Sequence, residues 1–321
     1  SPRSARGRSG AAYAGLVPMG RRASFYPLRY LATTSGPGLV WIGLFVVLAV
    51  YSLFAIALGT PDPILLQPRP AWNPLHWSFS NFGEVVSGLN PSGGVFWDVF
   101  SRTFIYIVLA AAGCVLIGYP VAYYVALHAK RSKVLLLVLL VLPFLVSYML
   151  RMLAWVGLLA PDGYVNELLS RLHLSTHGVD WLGGKPGTVI AALIYGWVPY
   201  FILPLYAALE RLDRRYLEAS GDLGAGRVRT FVFVTLPLSV PGITAGLVLI
   251  ALPMFGDYYT NQLVSGAATT SMIGNTINTY IASTQGRAIG AALAASLFIF
   301  LVVVLAYYVR VTARSARAVM R

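Results

Sequence analysis

Charge is what this 321-residue chain has least of. Only 11% of its residues are Asp, Glu, Lys or Arg, less than half of the roughly 25% that an ordinary soluble domain carries. With 57% hydrophobic residues and a mean hydropathy of +0.71, the chain has more apolar surface than a single core can bury. A water-soluble enzyme and a disordered chain are both excluded. Cysteine is nearly absent as well. Cys114 is the only one, so no intrachain disulfide forms, and its place in an apolar run reads as a buried, inert thiol.

The signatures of stand-alone chemistry are also missing. No phosphate-binding loop occurs; the nearest string, Gly183-Gly184-Lys185-Pro186, has the wrong spacing. There is no G-x-S-x-G elbow, no H-E-x-x-H pair and no C-x-x-C. His173 and His177 are a helical turn apart, but without a third ligand nearby they read as solvated loop histidines, and no metal site is expected. The chain therefore offers no catalytic set and binds no cofactor of its own. Active transport would have to draw on an ion gradient or on a separate ATPase.

What is present is length in apolar runs. About 20 such residues cross the roughly 30 Å hydrocarbon core of a bilayer as a helix. The sequence supplies six candidates, at 38–59, 101–127, 134–159, 188–208, 238–259 and 288–310. The expectation is an all-α polytopic membrane protein of six transmembrane helices, spanning 38–310. It is flanked by a basic, mobile tail at 1–37 and a short tail at 311–321. Kinks are expected at Pro199 and Pro204 in the fourth span and at Pro253 in the fifth.

The 24 Lys and Arg against 11 Asp and Glu would suggest nucleic acid in a soluble chain. Here most of them gather on one side of the spans. Arg3, Arg6, Arg8, Arg21, Arg22 and Arg29 precede the first, and Lys130, Arg131 and Lys133 follow the second. Arg211, Arg214, Arg215, Arg227 and Arg229 follow the fourth, and Arg310, Arg314, Arg317 and Arg321 end the chain. That asymmetry places both termini in the cytoplasm and leaves no nucleic-acid partner to explain. The opposite loops hold Trp72, Trp77 and Trp97, which suit a membrane interface. They also hold Asp62, Glu84, Asp98, Asp162, Glu167 and Asp180, which either favour a cationic solute or merely solvate the loops.

The inner loop at about 209–237 has helical periodicity. Leu212, Tyr216, Ser220 and Leu223 make one stripe, and Arg215, Glu218 and Asp222 lie on another face. Gly224 and Gly226 supply a left-handed stop. Two carboxylates face an anionic leaflet unfavourably, so a basic protein groove suits this helix better than lipid headgroups do.

Here a resemblance becomes specific. Glu218-Ala219-Ser220, Gly224, then Val234, Leu236 and Pro237 are similar to the E-A-A…G…I-x-L-P signature of ABC importer permeases, with Ser220 and Val234 as small departures. Arg151, Ala154 and Trp155 resemble that family's R-x-x-A-W stretch. Phe255-Gly256-Asp257-Tyr258-Tyr259 and Met272-Ile273-Gly274-Asn275 resemble the G-D-[FY]…M-I-G-N stretch of its spermidine/putrescine branch. The resemblance covers about 100–310. It implies a type I importer permease in a bacterial cytoplasmic (inner) membrane, with a second permease (a paralogue), an ATPase dimer that holds ATP and Mg, and an extracytoplasmic solute-binding protein. It makes Arg215, Glu218, Ala219, Gly224, Leu236 and Pro237 the ATPase-coupling loop and polyamine the expected solute. Another small solute (an amino acid derivative, an opine or a metal ion) and an ion-coupled secondary transporter stand as alternatives, the latter weakened by the absence of an internal repeat.

Asp257 and Arg151 are the two strong charges assigned to span interiors. Such charges are costly unless paired or turned to a wet cavity. Two readings follow. Asp257 is a countercharge for a substrate amine, with Tyr258, Tyr259 and Trp155 as cation–π walls along the pathway. Alternatively, Asp257 and Arg151 pair and fix the third span against the fifth.

Overall fold

A computed structural model of the protein describes residues 28–61, 68–129, 131–174 and 178–319. Most of the expected N-terminal tail, with Arg3 to Arg22, lies outside them, as do Asp62, Lys130, His177 and Arg321. The chain divides into two units at Tyr51 and Ser52. Helix α1 (Leu28–Ala57), whose last residues belong to the second unit, begins inside the segment expected to be a tail. Its Leu39, Val40, Trp41 and Val47 are all open, as suits a helix whose solvent is lipid.

The second unit holds the remaining elements. They are α2 (Ser80–Gly88), α3 (Val95–Leu127), α4 (Lys133–Val141) running into a 3₁₀ turn (Leu142–Leu145), α5 (Tyr148–Leu159) and α6 (Tyr164–Arg171). Then come α7 (Pro186–Glu210), α8 (Arg214–Asp222), α9 (Arg227–Thr230), a π-turn (Phe231–Thr235) and α10 (Leu236–Phe255). The last are α11 (Tyr259–Val264), α12 (Ile273–Ala282) and α13 (Arg287–Val319). Among the described residues the only β-structure is the bridge between Thr60–Pro61 and Pro68–Arg69. Among the described residues five helical stretches are long and apolar enough to cross a membrane, or six if the bent pair α4–α6 counts as one.

That bent pair corrects the third predicted span. The apolar window 134–159 reads as one helix, but the path turns by 91° at its break. Pro143 has no N–H to give and disfavours helix before it. The chain tightens into the 3₁₀ turn and then runs extended through Val146 and Ser147. Hydropathy averages over this break because every residue near it is still apolar. The fifth span also differs from expectation. It runs from Arg227 to Phe255, so Asp257 lies beyond its end and not within it. The π-turn lies just before Pro237, where the missing N–H leaves the regular ladder incomplete. By contrast, α7 continues through Pro199 and Pro204 without interruption.

Helices in lipid gain little from burying apolar surface against one another, so close packing has to hold them. The core forms where α3, α7 and α10 meet, around the fully buried Phe201, Leu205, Leu209, Ile250 and Met254. Gly242 and Gly246 present their bare faces to α7. A Cβ on Gly246 would lie 2.8 Å from the Phe201 ring, and one on Gly242 2.4 Å from the Ala208 Cβ. Cys114 is fully buried in the same core. Polar links are few: the Tyr119 and Ser239 hydroxyls meet at 3.0 Å, and Lys133 pairs with Glu210 at 2.7 Å, tying the start of α4 to the end of α7.

Candidate functional site

Two polar regions stand at opposite ends of the α9–α10 span. The first is α8. Asp213 caps it, its Oδ1 accepting from the Arg215 N–H at 3.0 Å. Gly224 ends it with φ +79°, where a side chain would strain the backbone. Gly226, expected to share that role, instead has φ −68° and starts α9. The predicted apolar stripe is not what faces the chain. Ser220 is buried, its hydroxyl 2.8 Å from that of Thr230, and Leu212 is half-buried. Tyr216 and Leu223, however, are 59% and 88% exposed. Arg215, Glu218, Ala219 and Asp222 are exposed too. Leu236 and Pro237 form the first turn of α10, with Leu236 packed on the core. α8 therefore presents apolar and acidic side chains together to the outside, a combination that suits a protein groove. Beneath it, a pocket of about 420 Å3 is lined by Tyr123, His128, Arg214, Glu218, Arg227 and Thr230, among others.

The second region surrounds Asp257. Its Oδ1 accepts from the Thr260 N–H at 3.1 Å, and its Oδ2 accepts from the Thr260 and Tyr148 hydroxyls at 2.6 Å each. One carboxylate thus caps the short helix α11 and fastens it to α5, just past the break in the third span. No ion pair joins Asp257 to Arg151 among the described residues. The guanidinium of Arg151 lies 5.3 Å from the Tyr148 ring centroid, and its Nε is buried without a partner. Tyr148 therefore serves both charges: its hydroxyl goes to Asp257 and its ring face to Arg151. Tyr258 and Tyr259 stack with centroids 4.0 Å apart, and the hydrogen bond between them holds the Tyr258 phenol above its ordinary range. Trp155, a turn along α5 from Arg151, packs on Tyr195 of α7 at 5.4 Å.

The residues that complete this region escape sequence reading. Tyr148 follows the unforeseen break. Its ring fits because Gly196 of α7 has no side chain; a Cβ there would meet the ring at 2.8 Å. Tyr148, Trp197, Tyr200 and Phe144 continue as a ladder of neighbouring rings beside the break. Asn275 donates to the Tyr258 carbonyl at 2.8 Å, which links the two stretches of the expected G-D-[FY]…M-I-G-N pattern in space. A proline eight residues before an arginine in an apolar run, Pro143 before Arg151, was the one available signal for the break.

Known proteins place this architecture. Residues 96–314 match the family described as "Binding-protein-dependent transport system inner membrane component". The spermidine/putrescine transport system permease protein PotB of Salmonella typhimurium is 30% identical over 270 residues, covering 84% of this chain and 89% of that one. PotB of Escherichia coli K12 is 33% identical over 216 residues, 67% of this chain and 78% of that one. The inner membrane ABC transporter permease protein YdcU of the same organism is 28% identical over 284 residues, 85% of each chain. In shape, the chain is similar to a chain of a bacterial alginate ABC transporter solved with an alginate pentasaccharide-bound periplasmic protein. The TM-score is 0.62 at 20% identity, over 86% of this chain and 91% of that one. The chain belongs to the binding-protein-dependent transport system inner membrane components, the type I permeases of ABC importers.

Proposed function

We propose that the protein is the permease half of an ATP-driven importer for small amines of the spermidine and putrescine class. It works beside a second permease, above an ATPase dimer that carries ATP and Mg, and receives solute from an extracytoplasmic binding protein. The observation that carries the energy-coupling half of this reading is α8: a capped helix outside the core that presents Tyr216, Leu223, Glu218 and Asp222 together. Closure of the ATPase would move α8, and α10 would transmit that movement, through its start at Leu236 and Pro237, to the polar region around Asp257. The solute assignment is supported by the likeness to permeases named for spermidine and putrescine over most of the chain.

In this arrangement both termini, α8 and the Lys133–Glu210 pair face the cytoplasm, and α11 and α12 face the opposite side. Asp257, saturated by three donors, acts first as a structural latch. The substrate-facing role falls to its surroundings, including the Tyr258–Tyr259 stack. Proteoliposomes holding the chain with its partner permease, ATPase and binding protein should accumulate labelled spermidine or putrescine only when supplied with ATP. An assembly that hydrolyses ATP in response to its loaded binding protein, yet accumulates neither amine, overturns the solute assignment and leaves the coupling assignment standing.

A further inference from the structure

Between α11 and α12 lies a pocket of about 340 Å3 whose polar lining consists of four carboxamides and two hydroxyls: Asn261, Gln262, Asn275, Asn278, Ser271 and Thr279. The rest of its lining is Gly and Ala, so no charged side chain faces it. Its walls are fastened to α3. Arg102 Nε donates to the Ser271 carbonyl at 3.0 Å and Arg102 Nη1 to that of Thr269, and the Ile273 N–H reaches the Thr103 hydroxyl at 2.8 Å. The Ser265 and Thr270 hydroxyls close the turn at 2.6 Å. The pocket is preorganised, and it lies beyond the end of α10 remote from α8.

One group in it has no partner. Asn275 Oδ1 accepts from the Met272 N–H at 3.2 Å, and Asn275 Nδ2 donates to the Tyr258 carbonyl at 2.8 Å, which fixes how that amide points. Asn261 must then offer its Nδ2 to Asn275 Oδ1, at 3.2 Å. Its own Oδ1 is left buried and unsatisfied, on a residue only 2% exposed. A buried acceptor left without a partner is unfavourable, so it calls for a donor. The neighbouring amide and hydroxyl oxygens are acceptors as well, and no Lys or Arg lines the pocket to recruit an anion.

We propose that this pocket is a transit subsite for the N–H-bearing end of the solute: an ammonium or amine whose protons go to carboxamide and hydroxyl oxygens as it leaves the binding protein. The inference rests on the amine reading above. The absence of a carboxylate gives a hold strong enough to orient the solute and weak enough to release it, as a conduction path requires.

The test is solute carried per ATP hydrolysed, measured with labelled spermidine in the full reconstituted assembly. Asn278 is exposed, so its variants keep the fold. Asn278→Ala should lower spermidine per ATP about three- to tenfold, the value of one hydrogen bond, while ATPase stimulation by the loaded binding protein stays at wild-type level. Asn278→Gln keeps a neutral carboxamide acceptor and should match wild type within about twofold. An unchanged ratio in Asn278→Ala overturns the inference alone, as does an Asn278→Gln ratio as low as that of Ala. A parallel fall in ATPase stimulation makes the pocket a protein-docking surface instead and also overturns it. If the wild-type assembly takes up no amine, the amine reading fails and this inference fails with it.

Discussion

Removing the Tyr148 hydroxyl separates two accounts of the buried charges. If Asp257 is held by Tyr148 and Thr260, as the 2.6 Å contacts indicate, Tyr148→Phe removes one of three donors to the carboxylate. Hydrogen bonds to charged groups in soluble proteins are worth about 1.5–3 kcal/mol. Interhelical hydrogen bonds in a membrane average about 0.6 and reach about 1.7 kcal/mol, because the unfolded chain finds partners in the bilayer too. The contact is short, buried and between a hydroxyl and a carboxylate, so the upper part of the membrane range applies. We expect a coupling of about 1–1.7 kcal/mol between Tyr148→Phe and Asp257→Ala in a double-mutant cycle. The assay is reversible denaturation of the purified chain in mixed micelles. Arg151→Met with Asp257→Ala should give a coupling below about 0.5 kcal/mol, since no ion pair joins the two and the cycle reports only pairwise contact. Strong coupling for the arginine pair with none for the tyrosine pair would refute this reasoning and restore the ion pair suggested by the sequence.

Other substitutions probe packing and geometry. Gly246→Val puts a branched side chain against Phe201, where even a Cβ lies at 2.8 Å; it should cost at least about 2 kcal/mol by overpacking. Gly157→Ala, with nothing within 4 Å of the new Cβ, should stay within about 0.5 kcal/mol of wild type in the same denaturation assay. Cys114 is 0% exposed, so a thiol reagent should label it only after denaturation; rapid labelling of the folded chain would contradict the α3–α7 packing. Gly224→Asp forces a side chain into φ +79° at a cost of about 1–2 kcal/mol. It should loosen the end of α8 and reduce ATP-driven uptake more than it reduces thermal stability.

The sequence shows the apolar stretches and the helix of the inner loop more clearly than it shows the polar region. Hydropathy counts apolar residues, so all six stretches come through, five as helices long enough to cross and the third as the bent pair. The same property hides the turn at Val146 and Ser147, because a break made of Pro, Phe, Leu and Val does not lower the average. Asp257 was legible as a charge in an unusual place. Its partners were not, since Tyr148 lies more than a hundred residues away in the chain and reaches Asp257 only after the 91° bend. On α8 the periodicity predicted a helix correctly but not its buried face. Ser220 turns inward to Thr230 while Tyr216 and Leu223 turn out, a choice made by the following segment and not by the helix itself.

The central claim is that energy enters through α8 from a separate ATPase. It is tested most directly by ATP-dependent uptake in the reconstituted importer carrying Glu218→Ala. Removing this exposed carboxylate leaves the core untouched, so the account predicts a chain of wild-type stability and a loss of uptake of at least about tenfold, the equivalent of about 1.4 kcal/mol. Wild-type uptake by the Glu218→Ala assembly would contradict it, and so would solute movement by the wild-type chain alone in liposomes without any ATPase.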